Sequence, residues 1–482
     1  MTSFWAGCRK CVEAFFPDPR LLWIVIVGFA VRLAFAPWTS WTYDTFPFYQ
    51  GMADQLAGIG PYGHMAYSYP PAFAFVEYPF SLLLSLFVDP SQWISFQPSL
   101  VEVGQVTDMV VPMVTAPWFN LFFKLPLIIT DYLTAVLLYH FVMRIKGDRA
   151  LARRVFILWF LNPLVLFVSS IYGNFDVLAV FFSVLALYAM YRRMYLSAGL
   201  SIGLGVAFKL FPLYLGLFFF AFLFGLVLIE RRPDARLLAA IKDLSKYIVG
   251  GVLGLSSILI TAVVNPTIMV FLTGRASNND MGGINLWGLA RTVNAIISPG
   301  QGVTSDEFSF VTIITNYLMF FILFVILIIV FIMFRNPREG NERLLLFGTM
   351  FVFVVLLLFQ PVTHAHYLIW VLPFMLLCSL YQPRFEVKVA MLSIAGVVFW
   401  FGLQSYLAFF YPLSVHTGIV PTAVIDRTVV DYYTGSYLVT AEGGRLVPTV
   451  LGVTALVTAA LPEGRDPLHK LAVWWAGRKH EA

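Results

Sequence analysis

Asp44 stands in Trp41-Thr42-Tyr43-Asp44-Thr45, directly after an apolar run and beside Phe46, Phe48 and Tyr49. A carboxylate in such a setting needs compensating charge or donors. It also has the chemistry of a general base, since a positioned carboxylate can take the proton of a hydroxyl as that hydroxyl attacks. Further ionisable residues sit at the ends of other apolar runs. Lys124 and Asp131 lie seven apart in Lys124-Leu-Pro126-x4-Asp131 and share a helical face. Asp176 closes Gly173-Asn174-Phe175-Asp176, Lys209 precedes Pro212, and His364 and His366 open Thr363-His364-Ala365-His366-Tyr367. Cations and ring N–H donors of this kind can meet charge developing on a leaving oxygen.

Each of these residues also has a plainer reading. Asp131 and Asp176 either serve a site, cap helices, or form structural pairs with Lys124 and Arg32. Lys209 either joins the site or extends its ammonium to the membrane interface. Histidines at i and i+2 do not face each other on a helix and make a poor metal pair. Asp44 is the hardest to reduce to structure alone.

The elements that hold these residues follow from composition. The 482 residues are 60% hydrophobic and 12% charged, with mean hydropathy +0.82, against about 25% charged residues in a soluble domain. That balance excludes soluble, disordered and nucleic-acid-binding chains and implies an all-α, polytopic transmembrane bundle. A span needs about 20 mainly apolar residues. Twelve candidates lie near 21–37, 118–143, 155–171, 176–191, 195–211, 212–229, 247–264, 310–334, 344–360, 366–381, 388–409 and 447–461. The first carries Arg32 and no small-residue cleavage pattern, so it reads as a span that is retained. The chain then divides into a cytoplasmic segment 1–20, one membrane domain 21–461 and a cytoplasmic tail 462–482.

A further apolar run, 72–88, is placed by charge. With a cytoplasmic N-terminus and 72–88 not crossing, 24 of the 31 Lys and Arg fall in short inner segments, as the positive-inside rule expects. If 72–88 crossed, every later loop would invert and the asymmetry would vanish. The run therefore reads as a helix in the outer interface. The outer side then carries the long loops 38–117, 265–309 and 410–446, rich in aromatics and so expected to be ordered. The net charge of +5 and pI of about 9.0 follow from the basic inner loops.

Gly58-Ile59-Gly60-Pro61-Tyr62 reads as a turn. Gly199, Gly203 and Gly205 lie in an apolar span without strand context, which points to close helix packing and away from a nucleotide loop. In loop 265–309, Thr273-Gly274-Arg275-Ala276-Ser277-Asn278-Asn279-Asp280 and Trp287 combine hydrogen-bonding groups with a ring. Such a mixture suits a sugar and equally suits any ordered loop. Cys8 and Cys11 supply only half of a zinc site.

Five features in order resemble the GT-C superfamily of membrane glycosyltransferases that use polyprenyl-phosphate (dolichyl-phosphate) sugars. They are nearest in pattern to dolichyl-phosphate-glucose glucosyltransferases and glycosylphosphatidylinositol-type mannosyltransferases. The features are Asp44 after the first span; Tyr69-Pro70-Pro71 before an apolar helix; Lys124 with Asp131 on the second span; Gly173-Asn174-Phe175-Asp176; and His364, Tyr367, Trp370 and Pro373 opening a late span. The likeness covers roughly residues 20–380. Asn174 stands where the pattern usually has Gln, and Asp44 lacks the second carboxylate two residues on that some relatives carry.

The resemblance implies an inverting hexosyltransferase, moving mannose or glucose from a polyprenyl-phosphate donor to a glycan or lipid-linked acceptor. The site would face the non-cytoplasmic side of a prokaryotic plasma membrane, or the endoplasmic-reticulum lumen in a eukaryote. The tail ending Lys479-His480-Glu481-Ala482 shows no retrieval signal and leans toward the prokaryotic case. In this reading Asp44 is the base. Lys124, Arg275, His364, His366 and, less centrally, Lys209 bind the donor phosphate. Asp131, Asn174, Asp176, Tyr69 and Tyr367 bind substrate or hold the site. No cofactor is firmly implied; a divalent metal is possible but unsupported by the single carboxylate, and no nucleic acid is expected. The rival is a secondary transporter or lipid flippase, against which the sequence shows no two similar halves and no matching pair of broken helices.

Overall fold

The computed structural model describes residues 15–63, 67, 69–96, 112–229, 235–265, 268, 282–297, 321–329, 341–401, 404–426, 438–461 and 463. Cys8, Cys11, Arg275 with the loop 273–280, most of the apolar run 310–334 and nearly all of the tail 462–482 lie outside them.

The chain is all-α. Helix α1 spans Leu22–Phe35, α2 Thr42–Leu56, α3 Ala72–Ser85, α4 Pro117–Lys146 and α5 Arg149–Phe160. Helix α6, Pro163–Leu166, runs on into a π-helical turn, Phe167–Tyr172. There follow α7 Asp176–Tyr191, α8 Tyr195–Phe208, α9 Pro212–Ile229, α10 Ala235–Gly254, α11 Ser256–Val264 and α12 Leu286–Ile297. The last are α13 Asn341–Phe359, α14 Leu372–Cys378, α15 Arg384–Phe401, α16 Tyr411–Thr417 and α17 Leu438–Ala460. Among the described residues, three helices are long and apolar enough to cross a membrane: Pro19–Trp38, Pro117–Lys146 and Glu342–Phe359. Two bent pairs would raise that to five. The other apolar helices are shorter, so these lengths do not establish the expected twelve crossings.

Local chemistry sets the boundaries. Helix α4 begins on Pro117, where a missing N–H costs nothing. It ends at Gly147, whose φ of 67° closes the last turn, with Arg144 and Lys146 beside it. Its 30 residues reach about 45 Å. Asp148 then caps α5, accepting from the N–H of Ala150 at 2.7 Å and of Leu151 at 3.2 Å.

The continuous span expected over 155–171 is in fact broken. The Asn162 side chain accepts from the N–H groups of Leu164 and Val165, and Pro163 starts a new helix bent by 44° from α5. A second bend, of 45°, separates Arg236–Gly254 from Ser256–Val264. The run expected over 366–381 is likewise a 3-10 turn, Ala365–Trp370, followed by α14.

Helix α3 covers most of the run expected to lie in the interface. Its 14 residues extend about 21 Å, short of the roughly 30 Å hydrocarbon core. The turn before it has φ of 76° at Gly58 and 88° at Gly60, the left-handed region in which glycine is unstrained.

Glycine also decides how α8 meets α10. A Cβ at Gly199 would lie 1.9 Å from the carbonyl oxygen of Tyr247, and one at Gly203 would lie 2.4 Å from that of Gly251. Gly250 and Gly254 leave the same room on α10, facing Leu196 and Leu200. The backbones touch, as small-x3-small spacing allows.

Arg32, in the last turn of α1, is fully buried on Asp131 at 3.1 Å, with further bonds to the carbonyls of Gly28 and Phe160. This is one of the structural pairings open to Asp131, and it ties α1, α4 and α5 together.

Candidate functional site

Asp44 lies in the first turn of α2, where the positive end of the helix dipole favours a carboxylate. Its Oδ1 accepts from the Tyr69 hydroxyl at 3.0 Å. Its Oδ2 accepts from Asn174 Nδ2 at 3.1 Å and from the Tyr172 hydroxyl. Three donors therefore compensate the charge that the sequence left without a partner. The side chain is half-buried.

These donors are themselves fixed. Asn174 Oδ1 accepts from the N–H of Asp176 at 3.0 Å, so its Nδ2 must turn toward Asp44. Tyr172 ends the π-helical turn, and Gly173 reverses the chain at φ 77°. A Cβ on Gly173 would lie 2.8 Å from Lys124 Cε and 2.9 Å from Phe123 Cε1. Only glycine meets both demands, which places Tyr172 and Asn174 together against Asp44. Tyr69 is set by the loop. The Tyr62 hydroxyl donates to the carbonyl of Tyr69 at 2.8 Å, and Phe48 and Phe175 pack against its ring, with Phe73 stacked on Phe175. Burial pushes the Tyr62 phenol and the fully buried Tyr67 phenol above their ordinary range, which keeps both as neutral donors.

A second carboxylate adjoins the first. Buried Asp176 is paired with Lys209 and accepts from Trp370 Nε1 at 2.8 Å. The Lys209 ammonium stands 4.6 Å from the Tyr367 ring centroid and 5.4 Å from that of Phe175, a cation–π arrangement. His366 Nε2 lies 4.0 Å from Asp176 Oδ2, and the His366 ring stacks on Tyr172 at 4.9 Å. One cluster therefore runs from Asp44 through Tyr172 and His366 to Asp176 and Lys209. Trp41, Trp400 and Phe409 wall it on one side.

The histidines depart from expectation. His364 precedes the 3-10 turn in extended geometry, ψ 150°, so the pair does not have helical spacing. The two rings lie parallel, 5.4 Å apart, with His364 exposed and His366 buried. Gly282–Gly283 pairs with Val362–Thr363 in a two-residue parallel bridge just before them. A Cβ at Gly283 would lie 2.0 Å from the Thr363 carbonyl oxygen, so that anchor depends on glycine. Among the described residues no group of three His, Cys, Asp or Glu could hold a metal ion.

Lys124 differs most from its expected place on a phosphate. It is fully buried, and its Nζ donates to the carbonyls of Ala36 (3.2 Å), Thr39 (2.6 Å) and Ile171 (3.1 Å), with Thr39 Oγ1 at 3.0 Å. Those oxygens belong to the ends of α1 and of the π-helical turn, so the ammonium clamps the segments leading to Asp44 and Tyr172. The sequence reading did not single out Tyr172. The available signal was its position one residue before Gly173, in the same short motif as Asn174 and Asp176.

No protein-family model matches the chain, and no curated protein matches it. Among solved structures it is similar to ArnT from Cupriavidus metallidurans in the apo state. The identity is 13% and the TM-score 0.44, over 90% of this chain and 78% of that one.

Proposed function

We propose that the chain is an inverting glycosyltransferase that moves a hexose from a polyprenyl-phosphate donor to a hydroxyl of a glycan or lipid-linked acceptor. The observation that carries this reading is the Asp44 carboxylate, held by three donors beside the Lys209–Asp176–His366 cluster. In the proposed reaction the acceptor oxygen attacks the anomeric carbon as its proton passes to Asp44. The bond from the anomeric carbon to the phosphate oxygen breaks from the opposite face, and the configuration inverts. The leaving group is a phosphate ester, already stable as an anion, so donors and cations suffice to receive it. Lys209 and His364 are the proposed donors, with His366 beside them; Arg275, which lies outside the described residues, is proposed as a further one. Asn174, Tyr69 and Tyr172 orient the base, Asp176 orients Lys209, and Tyr367 lies under that ammonium. Asp131 and Lys124 serve the frame.

The site is proposed to open on the non-cytoplasmic face, with α3 in that interface. The prenyl chain would lie between helices, which accounts for a polar cluster gathered at helix ends. The two bent helix pairs favour the rival reading, since broken helices line transporter sites. The test is to incubate the purified chain in nanodiscs with a polyprenyl-phosphate hexose and a lipid-linked glycan acceptor. Release of free polyprenyl phosphate with an inverted anomeric linkage supports the transferase. Movement of intact donor across sealed vesicles, without release, would establish transport instead.

A further inference from the structure

At the far end of α4 from Asp44 the bundle carries a second polar feature, independent of the reading of the first. Lys146 is 22 residues beyond Lys124 on the same helix, about 33 Å along its axis, and so at the opposite membrane boundary. There a cavity of about 370 Å³ is lined by Arg343, Leu344, Phe347, Tyr381, Gln382 and Glu463. It lies between the start of α13, the turn from α14 to α15, and the residues after α17. Exposed Lys146 sets its ammonium 4.0 Å from the Tyr381 ring centroid, and exposed Arg343 sets its guanidinium 4.9 Å from the same ring.

Arg384, largely buried, holds Gln382 by donating to its Oε1 at 3.0 Å and reaches the Leu461 carbonyl at 2.9 Å. Among the described residues two carboxylates stand here: Glu463 in the wall, and Glu342, which accepts from the Tyr191 hydroxyl at 2.9 Å. Among the described residues, Lys146, Arg343, Arg384 and nearby Arg144 outnumber them, a positive balance. Leu344 and Phe347 make one wall apolar.

We propose that this cavity binds the phosphate headgroup of an anionic phospholipid in the leaflet opposite the Asp44 site. Arg343 and Tyr381 of its wall, with Lys146 standing against the Tyr381 ring, would hold the phosphate, and its apolar wall would take the glycerol and the start of the acyl chains. Basic pockets between helix ends facing a charged leaflet recognise such headgroups, each cation contributing about 1 kcal/mol, or about fivefold in affinity. A soluble phosphate would meet the same cations but leave the apolar wall unused.

The test is native mass spectrometry of the full chain in neutral detergent, titrated in turn with phosphatidylglycerol, phosphatidylcholine and inorganic phosphate. The expected result is one phosphatidylglycerol retained in preference to phosphatidylcholine. Lys146→Gln with Arg343→Gln should weaken retention by about 25-fold. Lys242→Gln, exposed on α10 away from the cavity, should leave it unchanged. Equal retention of the two lipids, or full retention by the double variant, overturns the site. Displacement of the lipid by inorganic phosphate alone overturns the lipid as its ligand.

Discussion

Replacing Asp44 by Asn removes one proton-accepting charge and almost nothing else. The carboxylate takes two donors at Oδ2, Tyr172 and Asn174, and one at Oδ1, Tyr69. An asparagine can place its carbonyl where Oδ2 stood and its amide opposite Tyr69, whose hydroxyl can turn to accept. What is lost is the charge assistance, roughly 1 kcal/mol for each bond to a charged group that becomes neutral. The fold should thus lose a few kcal/mol at most, while Arg32–Asp131 and the Lys124 clamp stay intact.

Catalysis should lose much more. Removing a general base costs typically 10²–10⁴-fold, or about 3–5 kcal/mol of barrier. The assay is the initial rate of polyprenyl phosphate release in nanodiscs, with thermal unfolding followed on the same samples. An Asp44→Asn protein that unfolds normally and turns over within tenfold of wild type would remove Asp44 as the base. Loss of folding would point instead to a structural carboxylate.

Lys124→Met should strip three carbonyl oxygens and the Thr39 hydroxyl of this donor and lower the unfolding temperature, at about 1–3 kcal/mol per orphaned buried group, while the folded fraction keeps its KM for donor. Lys209→Gln should raise that KM and also destabilise, because breaking a buried pair costs about 3–5 kcal/mol; an unchanged KM removes Lys209 from the donor site. Glu77 is fully buried in α3, its Oε1 has no hydrogen-bond partner, and burial holds its carboxyl well above the ordinary value of 4.5. Its folded pKa being the higher, its contribution is fully present below about 4.5 and is lost as pH rises toward the folded value. Glu77→Gln should therefore flatten the fall in unfolding temperature above pH 5, measured by intrinsic fluorescence, and an unchanged slope refutes the assignment. Single cysteines at positions 80 and 240 should react with an impermeant label from opposite sides, and labelling of both from one side would overturn the proposed topology.

Much of the helical frame was legible because hydropathy reports burial whatever the detailed path. The breaks were not, although Asn162-Pro163 spells one out: a side chain that caps and a residue that starts a helix cut the run at 161–163. Averaging over an apolar window hides two residues of turn chemistry. The glycines of α8 were readable because spacing alone implies contact, whereas Gly173 and Gly283 act through single backbone approaches that no periodicity reveals. The histidines were misjudged for a related reason. Spacing predicts facing only inside a helix, and His364 stands just outside one.

The two lysines show where sequence reasoning stops. Each sits in or at the end of an apolar stretch a few residues before a proline, and by type either could hold a phosphate. Their difference lies in what the fold brings to them. Lys124 points into the junction where α1 ends and the π-helical turn ends, where carbonyl oxygens are left over from terminating helices. An ammonium with three donors satisfies such a junction and is consumed by it. Lys209 leaves α8 in extended geometry, φ −153°, so its chain runs across the bundle to Asp176 and over Tyr367. There it pairs with the Asp176 carboxylate and stands over the Tyr367 and Phe175 rings. The position of a lysine relative to helix ends decides whether it meets leftover carbonyls or a carboxylate and ring faces, and helix ends become definite only once the chain has folded.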